Sequence, residues 1–233
     1  MNIPKIIHQV WEGRSESKMP ARLQIWARTW QENNPDWEYH LWDGKEMDQL
    51  VADYFPEYKE LYAHFPYNVQ RWDTIRYMIL YVYGGVYADL DTECFQAISP
   101  LLDQVSLGFG QEPPVHADKS LRVGNAFMAS QQQNRGWLWI LEEIANHSHS
   151  LKDDSAISTV MHSTGPNMLA RVFPKLQKEL NAVVLPYQLV APVSKFDVYN
   201  YMCHRNYEFE KKLHDAYCAH YFLGSWDSCL SLS

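Results

Sequence analysis

The sequence predicts an α/β protein in which helices flank a mixed, mainly parallel sheet, with residues 1–233 forming a single domain. The chain has 233 residues with 46% hydrophobic and 14% aromatic content, which is enough to bury a full core. Strand-like and helix-like patterns alternate from the N-terminus, as they do in parallel crossover units. The sequence contains no internal repeat, low-complexity stretch or linker that would divide it.

The central segment, Arg71–Phe95, changes from helical to strand periodicity at Gly84-Gly85. Before the glycines, apolar residues recur every three or four positions, which predicts one apolar stripe of a helix. Glycine adopts the left-handed conformation of a helix end without a Cβ clash, so we expect a strand to start at once. The stripe consists of Trp72, Ile75, Met78, Ile79, Val82 and Tyr83.

From Val86 the period becomes two, which predicts a strand with Tyr87, Asp89 and Asp91 on one face. In an extended strand the two carboxylates would stand about 7 Å apart, a poor distance for twin ligands of one cation. That spacing favours one direct ligand and one carboxylate that acts through water or a sugar hydroxyl. Magnesium and manganese sites for phosphate-bearing substrates use such pairs.

The N-terminal third predicts a strand, a helix and a second strand. Lys5–Trp11 is a buried-strand pattern, and Trp11 at its carboxyl end offers a ring on which a nucleotide base could stack. The alternative for Trp11 is a place in the core. Pro20–Asn33 has helical spacing, and Trp37–Trp42 alternates like a strand.

The remaining elements are predicted from shorter patterns. A polar loop is expected over 111–122, and a strand over Asn125–Ser130. Further helices are expected over Lys45–Phe65, broken by prolines, and over Trp137–Ile144, Met168–Leu180 and Phe209–His220, and further strands over Ser106–Gly110, Val183–Leu185 and Val190–Pro192.

Charge limits the classes of partner. The net charge is −8 with only 20 Lys plus Arg, which argues against a protein that neutralises a nucleic-acid backbone with clustered cations. A nucleotide sugar remains compatible with an acidic protein, because a metal ion can offset the charge of its diphosphate. Paired histidines at His147 and His149 have no third ligand at a useful spacing, so we interpret them as solvated surface.

Cysteine usage and hydropathy indicate the compartment. Cys94, Cys203, Cys218 and Cys229 show no C-x-x-C spacing and follow no secretory leader. No apolar run approaches the length of a transmembrane helix. The expectation is therefore a cytoplasmic protein with reduced thiols and no transmembrane segment; peripheral association with the inner face of the membrane remains open.

Several motifs together resemble one known family. They are Asp73-x-x-Arg76-Tyr77, the segment Gly84-Gly-Val-Tyr-Ala-Asp-Leu-Asp91, Ile3-Pro-Lys-Ile-Ile-His-Gln-Val-Trp11, Thr164-Gly-Pro166 and His220-Tyr-Phe-Leu-Gly-Ser-Trp226. This combination resembles the Och1-like glycosyltransferases of family 32, whose sugar-binding region contains a DXD motif. The family is distantly similar to the clostridial glucosylating toxins. The motifs are spread over nearly the whole chain.

The resemblance implies a GT-A-like fold and a retaining transfer of a hexose from a UDP- or GDP-linked sugar to a glycan or glycolipid, as in surface polysaccharide synthesis. It implies a Mn²⁺ or Mg²⁺ ion held by Asp89, Asp91 and His220. It places Asp73 on the donor-sugar hydroxyls and Arg76 near the sugar or diphosphate. The donor-binding residues that it implies are Trp11, Tyr87, Asn125, Ser225 and Trp226.

Other interpretations of the same residues stay open. Asp73 and Arg76 would also form an ordinary ion pair along one helix, and the segment His220–Trp226 is either a lid that orders over the donor or packing for the C-terminus. At the level of the whole protein, a non-catalytic carbohydrate-binding protein would keep the fold. A metal-dependent phosphohydrolase would use the same two carboxylates.

Overall fold

The computed structural model describes residues 2–12, 18–114, 121–147, 155–203 and 207–223. The N-terminal half begins with strand, helix and strand, as the sequence predicts, and continues with helices that lead to the central strand. The elements of this half are β1 (Ile6–Val10), α1 (Ala21–Asn33), β2 (Glu38–Trp42), α2 (Gly44–Tyr54), α3 (Lys59–Ala63), α4 (Asn68–Tyr83), β3 (Gly85–Ala88) and β4 (Thr92–Cys94).

The C-terminal half adds the other side of the sheet and a group of helices. Its elements are β5 (Leu107–Gln111), β6 (Val123–Ser130), α5 (Gly136–His147), α6 (Ala156–Ser163), α7 (Pro166–Leu180), β7 (Val183–Leu185), α8 (Tyr187–Val190), α9 (Lys195–Cys203), α10 (Tyr207–Leu213) and β8 (Cys218–His220). Within the described residues, no helix combines the length and apolar character that crossing a bilayer requires.

The main sheet has the strand order β2-β1-β3-β6-β5-β7. β1 runs parallel to β2 and β3, and β5 runs parallel to β7, whereas β6 is antiparallel to both of its neighbours. Five strands therefore share one direction, which confirms the predicted mixed, mainly parallel sheet. The carboxyl ends of β1 and β3 lie at the same edge, where α/β proteins bind ligands.

Both faces of this sheet are buried, because alternate residues of each strand pack into different cores. Tyr87 and Met128 face a core formed with α2, α4, α5 and α7. Val86 and Phe127 face the opposite core, which contains Trp30 of α1. A sheet covered on both faces must have helices on both sides, as the sequence predicts.

The paired glycines end the helix and the strand starts at once, as expected, but Gly84 has ψ −154° and so does not adopt the left-handed helical conformation that was expected. Gly84 ends α4 with φ 66°, and Gly85 begins β3 with φ 88°. A Cβ on Gly85 would lie only 2.4 Å from the carbonyl oxygen of Ile6, so a side chain there would separate β3 from β1. The glycines thus bring the helix end and the central strand directly against β1.

Three sequence predictions about local structure are wrong. β3 ends at Ala88, and a turn follows in which the Thr92 N–H donates to Asp89 O (3.1 Å). The helix expected over Phe209–His220 ends at Leu213, and Cys218–His220 forms strand β8. The strand expected at Val190 is instead the end of a short helix, Tyr187–Val190, whose N-cap residue is Pro186.

β4 and β8 form a separate two-stranded antiparallel sheet. Thr92 lies opposite His220, and Cys94 lies opposite Cys218. This pairing brings a C-terminal strand beside the turn that follows β3. The consequence is that residues distant in sequence meet at the edge where β1 and β3 end.

Candidate functional site

The turn after β3 brings two carboxylates together. Asp89, Asp91 and His220 each offer a ligand atom, and these atoms lie within 4.8 Å of one another. The separation of about 7 Å predicted for an extended strand is therefore wrong, because the chain turns between the two aspartates. All three side chains are partly exposed, at 22%, 17% and 15% respectively. Both carboxylates are thus close enough to bind one cation directly.

His220 enters the site through the β4–β8 pairing. Its Nε2 lies 3.2 Å from Asp91 Oδ1, and the backbone N–H of Leu223 donates to Asp91 Oδ2 (2.8 Å). Burial alone would raise the pKa of Asp91, but His220 and the Leu223 N–H lower it below its usual value. Burial works against a charge on His220, yet Asp91, Asp89 and Glu112 raise the pKa of the imidazole. The pair therefore favours its ionised form when no cation is bound.

Arg76 connects the helix to the turn. Its Nη2 lies 3.0 Å from Asp73 Oδ1, and its Nη1 lies 3.0 Å from Asp89 Oδ1. The guanidinium also stacks over the Tyr87 ring, 4.7 Å from the ring centre, and donates to the backbone oxygen of Asn125. These contacts fix its position before any ligand arrives, which is the preorganisation that an anion-binding group requires.

Asp73 is buried and its carboxylate is surrounded by protein donors. Besides Arg76, the Asn125 amide donates to Oδ1 (2.9 Å) and the Thr164 hydroxyl donates to Oδ2 (2.8 Å). Burial raises the pKa of Asp73, with Arg76, Thr164 and Asn125 opposing it. In this arrangement Asp73 holds Arg76 and Asn125 in place. Its contact with donor-sugar hydroxyls stays a prediction.

Tyr87 lies beneath the turn. Its side chain is buried, and its phenol donates to Asp89 Oδ1 (2.8 Å). Asp89 Oδ1 therefore accepts a hydrogen bond from Tyr87 and forms an ion pair with Arg76. Burial raises the pKa of Asp89 and Asp91 adds to this, while Arg76 opposes it. The geometry restricts the direction in which Asp89 can present its other oxygen.

Trp11 lies just beyond β1, at the same edge of the sheet, and is half-buried. Its backbone N–H donates to Trp42 O (2.9 Å). The adjacent Glu12 pairs with Arg71 at 3.3 Å and accepts a hydrogen bond from the Trp72 indole (2.9 Å). These contacts fix the chain beside Trp11, whose role in base stacking stays a prediction. Ser225 and Trp226 lie outside the described residues.

Two residues near this site were given no role from the sequence. The Tyr77 phenol donates to Thr164 O (2.8 Å) and accepts from the Asn125 amide (3.1 Å), so it supports the network around Asp73. Its place beside Arg76 in the motif was the available signal. Glu112 lines a small cavity of about 20 Å³ together with His220 and Phe222. The polar stretch around it gave no signal from the sequence.

The ligand atoms of Asp89, Asp91 and His220 suit a divalent cation. Carboxylate oxygens suit magnesium, calcium and manganese, and an imidazole ligand shifts the preference towards transition metals. Arg76 already pairs with Asp73 and Asp89, so a cation beside Asp91 would reduce the remaining repulsion between the two carboxylates. A bound cation would supply Lewis-acid stabilisation to an anionic group at this edge.

A six-stranded, mainly parallel sheet with one antiparallel strand and helices on both faces is the architecture of a GT-A-like fold. Residues 20–107 match the family described as the glycosyltransferase sugar-binding region containing the DXD motif. This is the family that the sequence motifs resemble.

The chain is similar to two yeast proteins named as mannosyltransferases. It is 30% identical to inositol phosphoceramide mannosyltransferase 3 of Schizosaccharomyces pombe over 76% of this chain and 46% of that protein. It is also 30% identical to inositol phosphoceramide mannosyltransferase 2 of the same yeast, over 96% of this chain and 58% of that protein. The chain thus spans about half the length of these relatives.

A solved structure shows the same fold. The PaToxG glycosyltransferase superposes with a TM-score of 0.58 at 14% identity, and the match covers 92% of this chain and 85% of that chain. At this identity the likeness shows the fold alone. It confirms the predicted GT-A-like architecture.

Proposed function

We propose that the chain is a metal-dependent hexosyltransferase that moves a mannosyl group from a nucleotide sugar to a hydroxyl of a glycolipid or glycan. The observation that carries the proposal is the meeting of Asp89, Asp91 and His220 within 4.8 Å, beside an arginine fixed by Asp73 and Asp89. Mannose as the sugar and a lipid as the acceptor are supported by the names of the relatives.

The reaction breaks the bond between the sugar C1 and the diphosphate oxygen, and its electron pair leaves with the diphosphate. A bond forms between C1 and the acceptor oxygen, and the acceptor proton leaves to the departing phosphate oxygen. In a retaining enzyme, as the family resemblance implies, attack and departure occur on the same face. Negative charge develops on the leaving group, so catalysis depends on positioning and electrostatic stabilisation.

Each described side chain has a part in this scheme. Asp89, Asp91 and His220 would hold Mn²⁺ or Mg²⁺, which when bound neutralises the diphosphate. Arg76 presents positive charge to the sugar or the diphosphate, and Asp73 keeps Arg76 in that position. Trp11 stacks on the base. The imidazole in the donor set favours Mn²⁺ over Mg²⁺.

The experiment is a donor panel. The protein is incubated with UDP- and GDP-linked hexoses, including GDP-mannose, with Mn²⁺, with Mg²⁺ or with EDTA, and the released nucleoside diphosphate is measured. A second series adds a phosphoinositol-headgroup lipid or a free mannoside as acceptor. We expect release from one donor, faster with acceptor and abolished by EDTA.

The other outcomes separate the competing functions. Glycan binding without release from any donor would identify a non-catalytic carbohydrate-binding protein. Metal-dependent hydrolysis of simple phosphate esters, with no preference for nucleotide sugars, would identify a phosphohydrolase. Release from a UDP-sugar with transfer of a hexose other than mannose would keep the enzyme class and overturn the proposed sugar.

A further inference from the structure

The short sheet formed by β4 and β8 places two cysteines directly opposite each other. Cys94 on β4 is the register partner of Cys218 on β8. On either side of this pair, the Phe95 N–H donates to Tyr217 O (2.8 Å) and the Tyr221 N–H donates to Asp91 O (2.9 Å). Ladder hydrogen bonds therefore fall on alternate residues, and the cysteine pair occupies a non-hydrogen-bonded position.

Non-hydrogen-bonded pairs are the closer pairs of an antiparallel ladder. Their Cα atoms are about 4.5 Å apart, which lies within the range of about 4.4–6.8 Å that a disulfide spans. Directly opposite residues point to the same face, and both cysteines belong to one buried core. The ladder geometry therefore suits a bond between the two sulfurs without a change in the backbone.

Both thiols are buried and make only weak contacts. Cys94 is 2% exposed and Cys218 is fully buried. Cys94 Sγ donates to Gln96 O and Cys218 Sγ donates to Val190 O, each at 3.3 Å, and Cys94 Sγ accepts from the Asn34 amide at 3.4 Å. Sulfur is a weak donor and a weak acceptor, so exchanging these three contacts for a covalent bond loses little. A rotation about each Cα–Cβ bond is the movement required.

We propose that Cys94 and Cys218 are a site of covalent modification, at which a cross-strand disulfide forms and fastens β8 to β4. The oxidant is a small-molecule disulfide such as oxidised glutathione. One protein thiolate attacks it and releases one reduced glutathione; the second protein thiol then displaces the other glutathione from the mixed disulfide. Two protein thiols and one oxidised glutathione thus give one protein disulfide and two reduced glutathiones.

The bond would affect the metal-binding histidine. β8 is three residues long, and a two-stranded ladder of that size is marginal by itself. His220 is two residues from Cys218 on the same strand, so both side chains point to the same face. His220 and Thr92 form the next non-hydrogen-bonded pair of the ladder. A disulfide would therefore hold His220 beside Asp91. In an oxidising compartment it would form during folding; in a reducing one it would form only under oxidative challenge.

The experiment uses the full chain with Cys203→Ser and Cys229→Ser, which leaves Cys94 and Cys218 as the remaining two of four cysteines. The protein is refolded in glutathione buffers of increasing oxidised fraction, alkylated, and measured by intact mass and by unreduced peptide mapping. We expect one product that lacks two hydrogens and contains a Cys94–Cys218 peptide. Its melting temperature should exceed that of the reduced protein by several degrees, because the bond closes a long loop.

Two controls make the result decisive. Cys94→Ala and Cys218→Ala in the same background should show no change in melting temperature between oxidising and reducing buffer. Two alkylated thiols, or two separate glutathione adducts, after refolding in fully oxidising buffer would overturn the disulfide.

The effect on His220 rests on the proposed function and is measured separately, as Mn²⁺ affinity of oxidised and reduced protein. We expect tighter binding, by several-fold, in the oxidised form. Equal affinities would overturn the positioning effect while leaving the bond itself established. Donor turnover by the reduced protein tests the proposed function independently of both.

Discussion

Arg76 on α4 and Asp89 after β3 are joined by an ion pair of 3.0 Å between Nη1 and Oδ1. The helix and the turn therefore hold each other through charge as well as through packing. Since the same guanidinium also binds Asp73, one positive group serves two carboxylates. Removing it would leave two buried or half-buried negative charges without their partner.

Arg76→Met should therefore cost stability as well as activity. Breaking a buried ion pair by removing one partner costs about 3–5 kcal/mol, which urea denaturation would measure. The control is Arg171→Met, whose pair with Glu143 is more exposed, at 39% and 21%, and should cost below about 1 kcal/mol. Equal losses in the two variants would show that the Arg76 pair adds no stability beyond that of a surface pair.

Asp91→Asn should abolish transfer and leave the fold intact, because it removes a charge at the sheet edge without changing volume. We expect a loss of at least about 100-fold, the range for removing one electrostatic contact to the transition state, and weaker Mn²⁺ binding. Asp215→Asn is the matched control, since Asp215 also pairs with a histidine but is 93% exposed. Transfer within tenfold of the unmodified protein at saturating Mn²⁺ would rule out Asp91 as a metal ligand.

Trp11→Ala should weaken binding of the nucleoside diphosphate by about 1–3 kcal/mol, the range for stacking of a base on an aromatic ring. Isothermal titration calorimetry measures this directly, and Trp11→Phe should be milder. Trp139→Ala, at a half-buried tryptophan of α5 that packs beside Lys175, is the control. A large drop in melting temperature with unchanged affinity in the folded fraction would instead place Trp11 in the core.

The burial of His8 should make the free energy of unfolding depend on pH. Its Nδ1 accepts from the Trp42 indole (3.2 Å), so Nε2 carries the proton that is donated to Gly84 O (3.0 Å). Burial lowers the pKa of His8 from 6.5 to about 4. The unfolded chain therefore binds this proton first, and stability present above about pH 6.5 is lost as the pH falls towards 4. The shift corresponds to about 3 kcal/mol.

The measurement is the free energy of unfolding between pH 7 and pH 4, compared with His8→Gln and with the exposed control His214→Gln. The slope of the free energy of unfolding against pH should become smaller in His8→Gln and stay unchanged in His214→Gln. A slope that is unchanged in His8→Gln would assign the pH dependence to other groups.

The parts of the fold that the sequence predicts are those determined by local periodicity. The apolar stripe indicates helix α4, and the paired glycines indicate where α4 ends and β3 begins; neither signal depends on distant residues. The turn at Asp89–Asp91 had a local signal, since aspartate favours turns. The alternation of apolar and polar residues through this segment predicted a strand instead. β8 had none, since three residues form a strand only through pairing with β4. Of the segment His220–Trp226, for which the sequence leaves a lid and C-terminal packing open, His220 lies in β8; the lid stays a prediction.

The candidate site was predictable where residues share a motif and unpredictable where the contact is distant. Asp73 and Arg76 are one helical turn apart, so spacing alone indicates their pairing. The bond from Thr164 to Asp73 spans 91 positions; the motif singles out both residues, but no pattern in one sequence indicates that they touch. The support that Asn125 gives to Asp73 depends likewise on the antiparallel placement of β6.

The pairing of β8 with β4 means that the site is assembled from segments that leave the ribosome at different times. The Asp91 carboxylate accepts a hydrogen bond from the backbone N–H of Leu223, 132 positions further along the chain. A ribosome therefore exposes the acidic turn long before the strand that completes it has left the exit tunnel. During that interval the nascent chain holds two neighbouring carboxylates without their histidine, so a cation bound then would be held by fewer ligands and would exchange more readily. On the proposed function, competence for sugar transfer would thus arise only when β8 docks on β4.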